Sequence, residues 1–485
     1  MNDILFFVLI NTKSIYNLQQ TYMEETKSQG VFYAARQTIQ HYATGGNVLM
    51  FATILAFIIA NIPGVNDHYF NFWEQELRLQ IGNFNLFSHG CNPMTVLQFI
   101  NDALMAVFFF SIGLEIKREI LVGELSSLKQ AMLPIIAAIG GMIMPVIIFV
   151  MFGYGTNYIG GAAIPMATDI AFSLGILALL GSRVPIALKV FLTTLAVVDD
   201  IGGIIVIAIF YSSHIDLTML LFAALLLGVL LMGSKFKIQS KMFYLLIGVG
   251  VWYLFLNSGI HSTIAGVLVA FCVPATPMFE PRKYISRIRK AISNFHTEDD
   301  AELDKRTILT KNQMDWLKQI ESASDKVISP LQDLEDTLHP AVNYLIIPLF
   351  AFANAGILFS SLDTSMIFEG VSLAIICGLV IGKMSGIFLF SWVAIKSGIV
   401  SMPQNSNWKM LASVAMLGGI GFTVSLFIAN LSFGNDLGNQ ELLNQAKLGI
   451  IIGSVVSGLI GYFMLKKTLP LICEDEDEAN DECNE

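Results

Sequence analysis

The chain has 485 residues, of which 54% are hydrophobic and 14% are charged, and its formal net charge is −10. Soluble domains carry about 25% charged residues, so this composition excludes an ordinary soluble protein and indicates a polytopic membrane protein. Much of the negative charge lies in the final stretch CEDEDEANDECNE, and an acidic balance gives no support for binding nucleic acid. The five cysteines have neither metal-site nor disulfide spacing and are predicted to be unpaired.

Apolar segments of spanning length recur along the chain. A bilayer core needs about 20 predominantly apolar residues per helix. Twelve segments are candidates: 47–64, 96–116, 131–152, 158–180, 185–211, 217–233, 242–256, 260–274, 339–359, 367–393, 408–432 and 442–465. The predicted fold class is therefore an all-α polytopic membrane protein with about 12 transmembrane helices. The seventh and eighth segments are short, and only Asn-Ser-Gly separates them.

The basic residues are distributed unevenly between the two sides that these spans define. Of the 28 Lys and Arg residues, 24 fall on one side, Arg78 falls on the other, and three fall within segments. By the positive-inside rule both termini are predicted to be cytoplasmic. The predicted divisions are an N-terminal arm (1–46), helices one to eight (47–274), a cytoplasmic insertion (275–337), helices nine to twelve (338–467) and an acidic tail (468–485).

The loop 67–95 is predicted to lie on the extracytoplasmic side and to contain a β-hairpin. Apolar residues alternate in LRLQIGNFNLF, around the pair Gly82-Asn83. A two-residue loop with glycine first is typical of a tight hairpin turn. An isolated hairpin is only marginally stable in water, so this one is expected to have a partner.

Two adjacent carboxylates lie inside the fifth span, in LAVVDDIGGIIVIAIF. Each ionised Asp at the centre of a membrane helix costs about 2.5–3.5 kcal/mol on insertion scales, so Asp199 and Asp200 are candidates for a functional site. They leave the helix about 100° apart, so one is expected to bind a ligand while the other pairs with a cation. Lys383 is the only deeply placed cation available.

The other ionisable residues within the spans fall into two groups. Asp169 lies deep in its segment, like Asp199, Asp200 and Lys383. Four others lie close to segment ends, where long side chains reach the interface easily, and we interpret them as helix-end charges or interface anchors: Asp102, Glu115, Lys189 and Lys447.

The fourth and eleventh spans carry signals for interrupted helices. Pro165 precedes Thr168-Asp169 in the fourth span, and Gly418, Gly419 and Gly421 cluster in the eleventh. Proline removes a backbone donor and clustered glycine loosens a helix. Irregular backbone at membrane depth survives only where protein or water satisfies it. Two such segments in corresponding positions of two halves predict a binding site between them.

The sequence resembles the NhaA-type sodium/proton antiporters, over roughly residues 40–275 and 335–467. The motifs that carry the resemblance are NDALMAVFFFSIGLEIKREI (101–120), PMATDIAFSLGIL (165–177), TLAVVDDIGGIIVIAIFY (194–211), SGIHSTIAGV (258–267), LHPAVNYLIIPLFAFANAGI (338–357), IGKMSGI (381–387) and LGGIGFTVSLFIA (417–429). The resemblance implies inverted-topology repeats, formed by spans three to five and ten to twelve, with broken helices at spans four and eleven.

The resemblance also implies roles for individual residues. Asp200 would be the principal ligand of the transported Na⁺ or Li⁺ and the proton carrier, and Asp199 the partner of Lys383. Thr168 and Asp169 would lie where the broken helices cross. The residues linked to the response to pH would be Glu115, Arg118, Glu119, Glu335, Asp336 and His261.

Activity, location and assembly follow from the same resemblance. It implies an electrogenic, pH-regulated antiporter of the bacterial inner membrane that exports one sodium for more than one proton and needs no cofactor. It also implies a homodimer held together by the 67–95 hairpin. The extended N-terminus, the long 275–337 loop and the acidic tail depart from the family pattern, and Asp336 stands where a histidine is expected.

The residues leave three other functions open. A proton-coupled transporter of another small solute should have more polar residues within its spans. An intramembrane aspartyl protease needs two carboxylates on different helices around one water, whereas the obvious pair here is adjacent. A passive cation channel would move cations without coupling them to protons.

Overall fold

A computed structural model describes most of the chain. The described residues are 45–78, 80–81, 84–85, 87–89, 92–212, 215–277, 284–286, 288–290, 311–325, 327–358, 370–434 and 439–469. The predicted N-terminal arm up to residue 44, the acidic tail from residue 470, the loop residues 291–310 and the turn Gly82-Asn83 lie outside these ranges.

The described residues are overwhelmingly helical. The helices are α1 (Gly45–Asn61), α2 (Asn66–Trp73), α3 (Val96–Leu121), α4 (Leu128–Gly153), α5 (Ile170–Leu179), α6 (Ile186–Phe210), α7 (Leu217–Lys235), α8 (Lys241–Leu256), α9 (Thr263–Cys272), α10 (Lys311–Asp325), α11 (Pro330–Ala341), α12 (Ile347–Asn354), α13 (Gly370–Lys396), α14 (Trp408–Leu417), α15 (Phe422–Phe433) and α16 (Gln440–Thr468). A π-helical segment, Val342–Ile346, joins α11 to α12.

At least seven segments among the described residues are long and apolar enough to cross a membrane. The number rises to nine if each of two bent helix pairs is one span. The shorter helices α8 and α9 are also apolar and are separate from each other. The protein is therefore an all-helical membrane protein, while the count of twelve spans stays a prediction.

Two of the apolar segments change direction or lose helical structure near their middle. In the fourth segment, the 3₁₀ turn Ile164–Met166 is followed by non-helical backbone before α5 begins at Ile170. In the eleventh, α14 and α15 are bent by 45° at a break of four residues. These two irregular stretches meet, since the Asp169 amide donates to the Ile420 carbonyl oxygen at 2.6 Å.

Close packing of α4 against α13 fixes the depth of Lys383. A Cβ at Gly386 would lie 2.2 Å from the Gly140 carbonyl oxygen, so only glycine permits this approach of two backbones. Small residues at such contacts are typical of helix packing in membranes. Lys383 ends the π-helical segment Gly378–Lys383 one turn before Gly386, and it is completely buried.

Two short antiparallel strand pairs lie between α2 and α3. Gln80–Ile81 (β1) pairs with Phe84–Asn85 (β2), and Ser88–His89 (β3) pairs with Asn92–Pro93 (β4). A single bridge between Glu76 and Thr95 ties the segment to the start of α3. Since the turn residues fall outside the described ranges, the hairpin type stays a prediction.

Candidate functional site

The two adjacent aspartates lie near the middle of α6 and are buried. Asp199 is 2% exposed and Asp200 is 6% exposed. α6 packs against α4 and comes close to α14. Burial disfavours the charged form of a carboxyl group unless other groups compensate it, so the surroundings of each aspartate decide what it can bind.

The two oxygens of Asp199 have different surroundings. Lys383 Nζ donates to Oδ2 in an ion pair in which both side chains are completely buried. Thr168 Oγ1 lies 2.7 Å from the same oxygen and 2.8 Å from the Gly418 carbonyl oxygen. A hydroxyl has one proton and donates to one of these acceptors at a time. Oδ1 is buried and has no hydrogen-bond partner among the described residues.

Asp200 makes no ion pair and no hydrogen bond with any described residue. When Asp199, Asp200 and Lys383 are all ionised, two carboxylates face one ammonium group and the cluster carries one excess negative charge. Such a cluster is neutralised by one proton or by one monovalent cation. Carboxylate oxygens suit both, since they bind protons and are preferred ligands of hard cations.

Asp169 joins the two irregular stretches through its carboxylate. Its Oδ1 accepts from the Phe172 amide at 3.0 Å, and its Oδ2 accepts from the Thr423 amide at 3.1 Å and the Thr423 hydroxyl at 2.6 Å. It therefore caps the first turns of both α5 and α15. Helix N-termini carry partial positive charge, so the negative charge of Asp169 is compensated without a cationic side chain.

The break between α14 and α15 is satisfied by a neighbouring helix. The Gly421 and Phe422 amides lie 3.2 Å from Ser454 Oγ of α16, which accepts from them. At Gly419 a Cβ would lie 2.4 Å from the Leu379 carbonyl oxygen. Glycine therefore lets the break approach α13. The Ser454 hydroxyl accepts the hydrogen bonds that water would accept from these amides outside a membrane.

Five of the six predicted pH-response residues lie at one end of the molecule. Arg118 Nη1 contacts Glu335 Oε1 at 3.1 Å, and Arg118 Nη2 contacts Glu119 Oε1 at 3.0 Å. Glu115 lies one turn before Glu119 on α3, and Asp336 is exposed on α11. Burial raises the pKa of Glu335 to about 7, against the opposing effect of Arg118.

The sixth, His261, lies at the other end of the molecule. Its Nε2 is 3.7 Å from Asp102 Oδ1, and its Nδ1 is 2.8 Å from Thr263 Oγ1. Its ring packs edge-to-face on Phe427 at 5.3 Å. The structure thus separates His261 from the Arg118–Glu335 cluster.

Lys447 differs from its sequence-based interpretation. An interface anchor would reach out to the membrane surface, but Lys447 is only 8% exposed. It lines a cavity of about 710 Å³, together with Asp102 and His261. The interpretation as an anchor is wrong because the start of α16 faces neighbouring helices at this position. Lys189, in contrast, is partly exposed, and its ammonium lies 3.2 Å from the Gly181 carbonyl oxygen.

Sequence reasoning missed the polar residues that support the site. Thr423 donates to Asp169, and Ser454 accepts from the amides at the break. Nothing in the sequence distinguishes these two residues from other small polar residues in the spans. A signal was available, since every buried amide at a helix break needs an acceptor. A search of neighbouring spans for Ser and Thr would therefore have drawn attention to both.

Comparison with known proteins gives consistent matches over most of the chain. The sequence pattern of the family described as Na+/H+ antiporter 1 matches residues 36–465. A protein of Phocaeicola vulgatus named Na(+)/H(+) antiporter NhaA is 52% identical over 92% of this chain and 99% of its own length. Proteins of the same name from Bacteroides fragilis and Sulfurimonas denitrificans are 56% and 41% identical, over 87% and 89% of this chain and 95% and 94% of their own lengths.

The Thr423 hydroxyl is predicted to stabilise the junction of α5 and α15. Thr423→Val keeps the shape of the side chain but removes the hydrogen bond to Asp169, and it should lower the free energy of unfolding by about 1–3 kcal/mol. Thr423→Ser keeps the hydroxyl and is the matched control. Unfolding of the purified variants in detergent measures both, and equal stability of the two variants would contradict the assignment.

Glu335 is predicted to make stability depend on pH. Its folded-state pKa of about 7 lies above the ordinary value of 4.5. The stabilisation is therefore complete below pH 4.5 and is lost as the pH rises through 7. Relative to Glu335→Gln, the wild type should lose about 1–3 kcal/mol between pH 4.5 and pH 8.

Melting curves at several pH values, with Glu321→Gln on α10 as the exposed control, check this expectation. The control should parallel the wild type, because its side chain lies in solvent. A constant difference between the wild type and Glu335→Gln across the pH range would show that Glu335 does not titrate there.

Proposed function

Since the chain belongs to the Na+/H+ antiporter 1 family, we propose that it exchanges Na⁺ or Li⁺ for protons at Asp199 and Asp200. Members of this family are transporters and not enzymes. The observation that carries the assignment of the site is the pair of buried adjacent carboxylates that have oxygens without partners. Asp200 is free of hydrogen bonds to the described residues, and Asp199 Oδ1 is equally free.

Competition for one site couples the two fluxes. With the site open to one side, Na⁺ binds Asp200 and the free Asp199 oxygen, which displaces the proton held by Asp200. With the site open to the other side, protons displace Na⁺. The fully ionised cluster carries one excess negative charge, and a charged empty site is costly to bury. The site therefore changes its exposure with either Na⁺ or protons bound, and rarely when it is empty.

A second proton makes the exchange electrogenic. Whether the ion pair of Lys383 and Asp199 keeps its proton depends on the charge of Asp200, because the three groups are coupled. When Na⁺ binds, Asp200 gives up one proton and Lys383 gives up the second, so the cluster with Na⁺ carries one negative charge and the cluster with both protons is neutral. With one net charge moving inward per cycle, each 100 mV of membrane potential contributes about 2.3 kcal/mol. That corresponds to roughly a fiftyfold sodium gradient.

The interrupted helices hold this site while it changes its exposure. Asp169 compensates the N-termini of α5 and α15. The Thr168 hydroxyl can donate its hydrogen bond either to the Asp199 carboxylate or to the Gly418 carbonyl. We assign to Thr168 the role of adjusting to the charge of Asp199. This arrangement supports the inverted-repeat architecture with two broken helices that the sequence predicts.

Regulation by pH is assigned to the cluster on α3 and α11. Arg118 lies between Glu119 and Glu335, and Glu115 on α3 is close enough to raise the pKa of Glu335. Ionisation of Glu335 near pH 7 places a negative charge where burial disfavours it, and so loosens the contact of α11 with α3. His261 acts separately, at the opposite end of the molecule.

We place the protein in the bacterial inner membrane with both termini in the cytoplasm. The placement rests on its apolar spans, its bacterial relatives and the excess of Lys and Arg on one side. We also propose a homodimer through the 67–95 segment. Its two-residue strands leave backbone groups at the edges, and a second copy can pair with them.

Asp200→Asn is predicted to abolish exchange. The variant keeps the size of the side chain but loses the charge and the proton acceptor. In everted membrane vesicles with an acid interior, a fluorescent pH probe should report collapse of the gradient on addition of Na⁺ or Li⁺ to wild-type vesicles. Vesicles with Asp200→Asn should show at least a hundredfold lower rate, while the amount of inserted protein is unchanged.

Asp216→Asn provides the matched control, since it makes the same change at an exposed cap of α7 that asparagine also tolerates. It should leave exchange intact. Substantial exchange by well-inserted Asp200→Asn would refute the assignment of this residue. Cation flux without proton movement in the wild type would instead indicate a channel.

A further inference from the structure

A cavity opens near the predicted external ends of several helices, and we call it the vestibule. Its volume is about 710 Å³, and it is lined by residues from α2, the start of α3, the loop before α9, the end of α15 and the start of α16. Besides Tyr211, four of its lining residues are charged or titratable: Glu74, Asp102, His261 and Lys447. Two carboxylates therefore share the vestibule with one ammonium group and one imidazole.

Lys447 is the unusual member of this group. It is the eighth residue of α16, it is 8% exposed, and it makes no ion pair or hydrogen bond with any described residue. A lysine near the end of a membrane helix usually reaches the interface or pairs with an acid. Here the side chain lines the vestibule instead, so its positive charge acts on any ion inside that cavity.

The floor of the vestibule is also the outer cover of the ion site. Phe427 lines the vestibule, is completely buried, and packs against Phe109 with ring centroids 5.6 Å apart. One turn earlier on α15, Thr423 bonds Asp169. Phe427 therefore lies between the vestibule and the Thr423–Asp169 contact.

Polar contacts hold this floor closed. Asn430, one turn after Phe427, donates to Asn354 Oδ1 at 2.9 Å, and Asn354 donates to Asn101 Oδ1 at 2.9 Å. This chain of side-chain amides links α15 to α12 and α3, and its two outer members, Asn101 and Asn430, line the vestibule. The vestibule and the ion site are thus separate compartments along one route.

We propose that Lys447 weakens the binding of external Na⁺, so that sodium released into the vestibule does not readily return. This inference rests on the proposed function. A fixed ammonium group repels a cation that approaches the floor, and the repulsion is stronger in a narrow cavity with protein walls than in water. Glu74 and Asp102 attract cations, and Lys447 offsets that attraction. The equilibrium of exchange is set by the gradients, so the charge alters the kinetics and not the end point.

The test measures the apparent KM for Na⁺ separately on each side. Right-side-out vesicles expose the vestibule to added Na⁺, and everted vesicles expose the opposite face. Lys447→Met should lower the external KM about three- to tenfold, the Coulomb effect of one unit charge through a partly aqueous cavity. The KM in everted vesicles should change by less than twofold. Lys447→Arg keeps the charge and should behave as the wild type.

Lys189→Met is the matched control, since it removes a lysine near the start of α6 at the predicted cytoplasmic end and should leave the external KM unchanged. An unchanged external KM in active Lys447→Met would overturn the inference, as would an equal change on both sides. If Lys447→Met does not insert, the same KM comparison is made with Lys447→Gln. Wild-type vesicles without Na⁺-dependent proton movement would contradict the proposed function instead.

Discussion

The buried pairing of Lys383 with Asp199 is the interaction on which the site depends. It commits the buried ammonium of Lys383 to Asp199 and leaves Asp200 without an ion-pair or hydrogen-bond partner among the described residues. Breaking such a pair leaves an uncompensated buried charge, which is strongly destabilising. The close approach of α4 and α13 through Gly140 and Gly386 sets the depth of Lys383, and the packing of α4 against α6 sets the depth of the aspartates.

Charge compensation elsewhere in the site uses backbone rather than side chains. Asp169 is held by the amides and hydroxyl at the starts of α5 and α15, so it does not compete for Lys383. The amides at the break before α15 are held by Ser454. The site therefore contains one free negative charge and the unpaired Asp199 Oδ1, in a framework whose helix-end amides are satisfied, and this is what a proton-or-sodium switch requires.

The sequence predicted the composition of this site better than its surroundings. Asp199, Asp200, Asp169 and Lys383 were evident because charges deep in apolar segments are costly and therefore informative. Most segment boundaries fall within a few residues of the observed helices, since hydropathy fixes where a helix enters the membrane. Thr423, Ser454 and the Asn101–Asn354–Asn430 chain were not evident, because small polar residues cost little and acquire their roles only from the packing of distant helices.

Lys447 also shows that the role of a residue depends on packing that the sequence does not reveal. Its position near the end of a segment predicted an interface anchor, and hydropathy cannot say which face of a helix looks into a cavity. Only the packing of α16 beside α15 puts the ammonium in the vestibule. Glu335 is similar, since the burial that raises its pKa and its contact with the distant Arg118 both arise from the packing of α11 against α3.

The central claim is that Na⁺ and protons compete for one site at Asp199 and Asp200. Calorimetric titration of the purified protein with Na⁺ between pH 6 and pH 9 tests it most directly. The account predicts that the Kd for Na⁺ weakens as the pH falls, approaching about tenfold per pH unit for each proton displaced, and that binding releases protons into the buffer. Sodium binding whose Kd is independent of pH, without proton release, would contradict it.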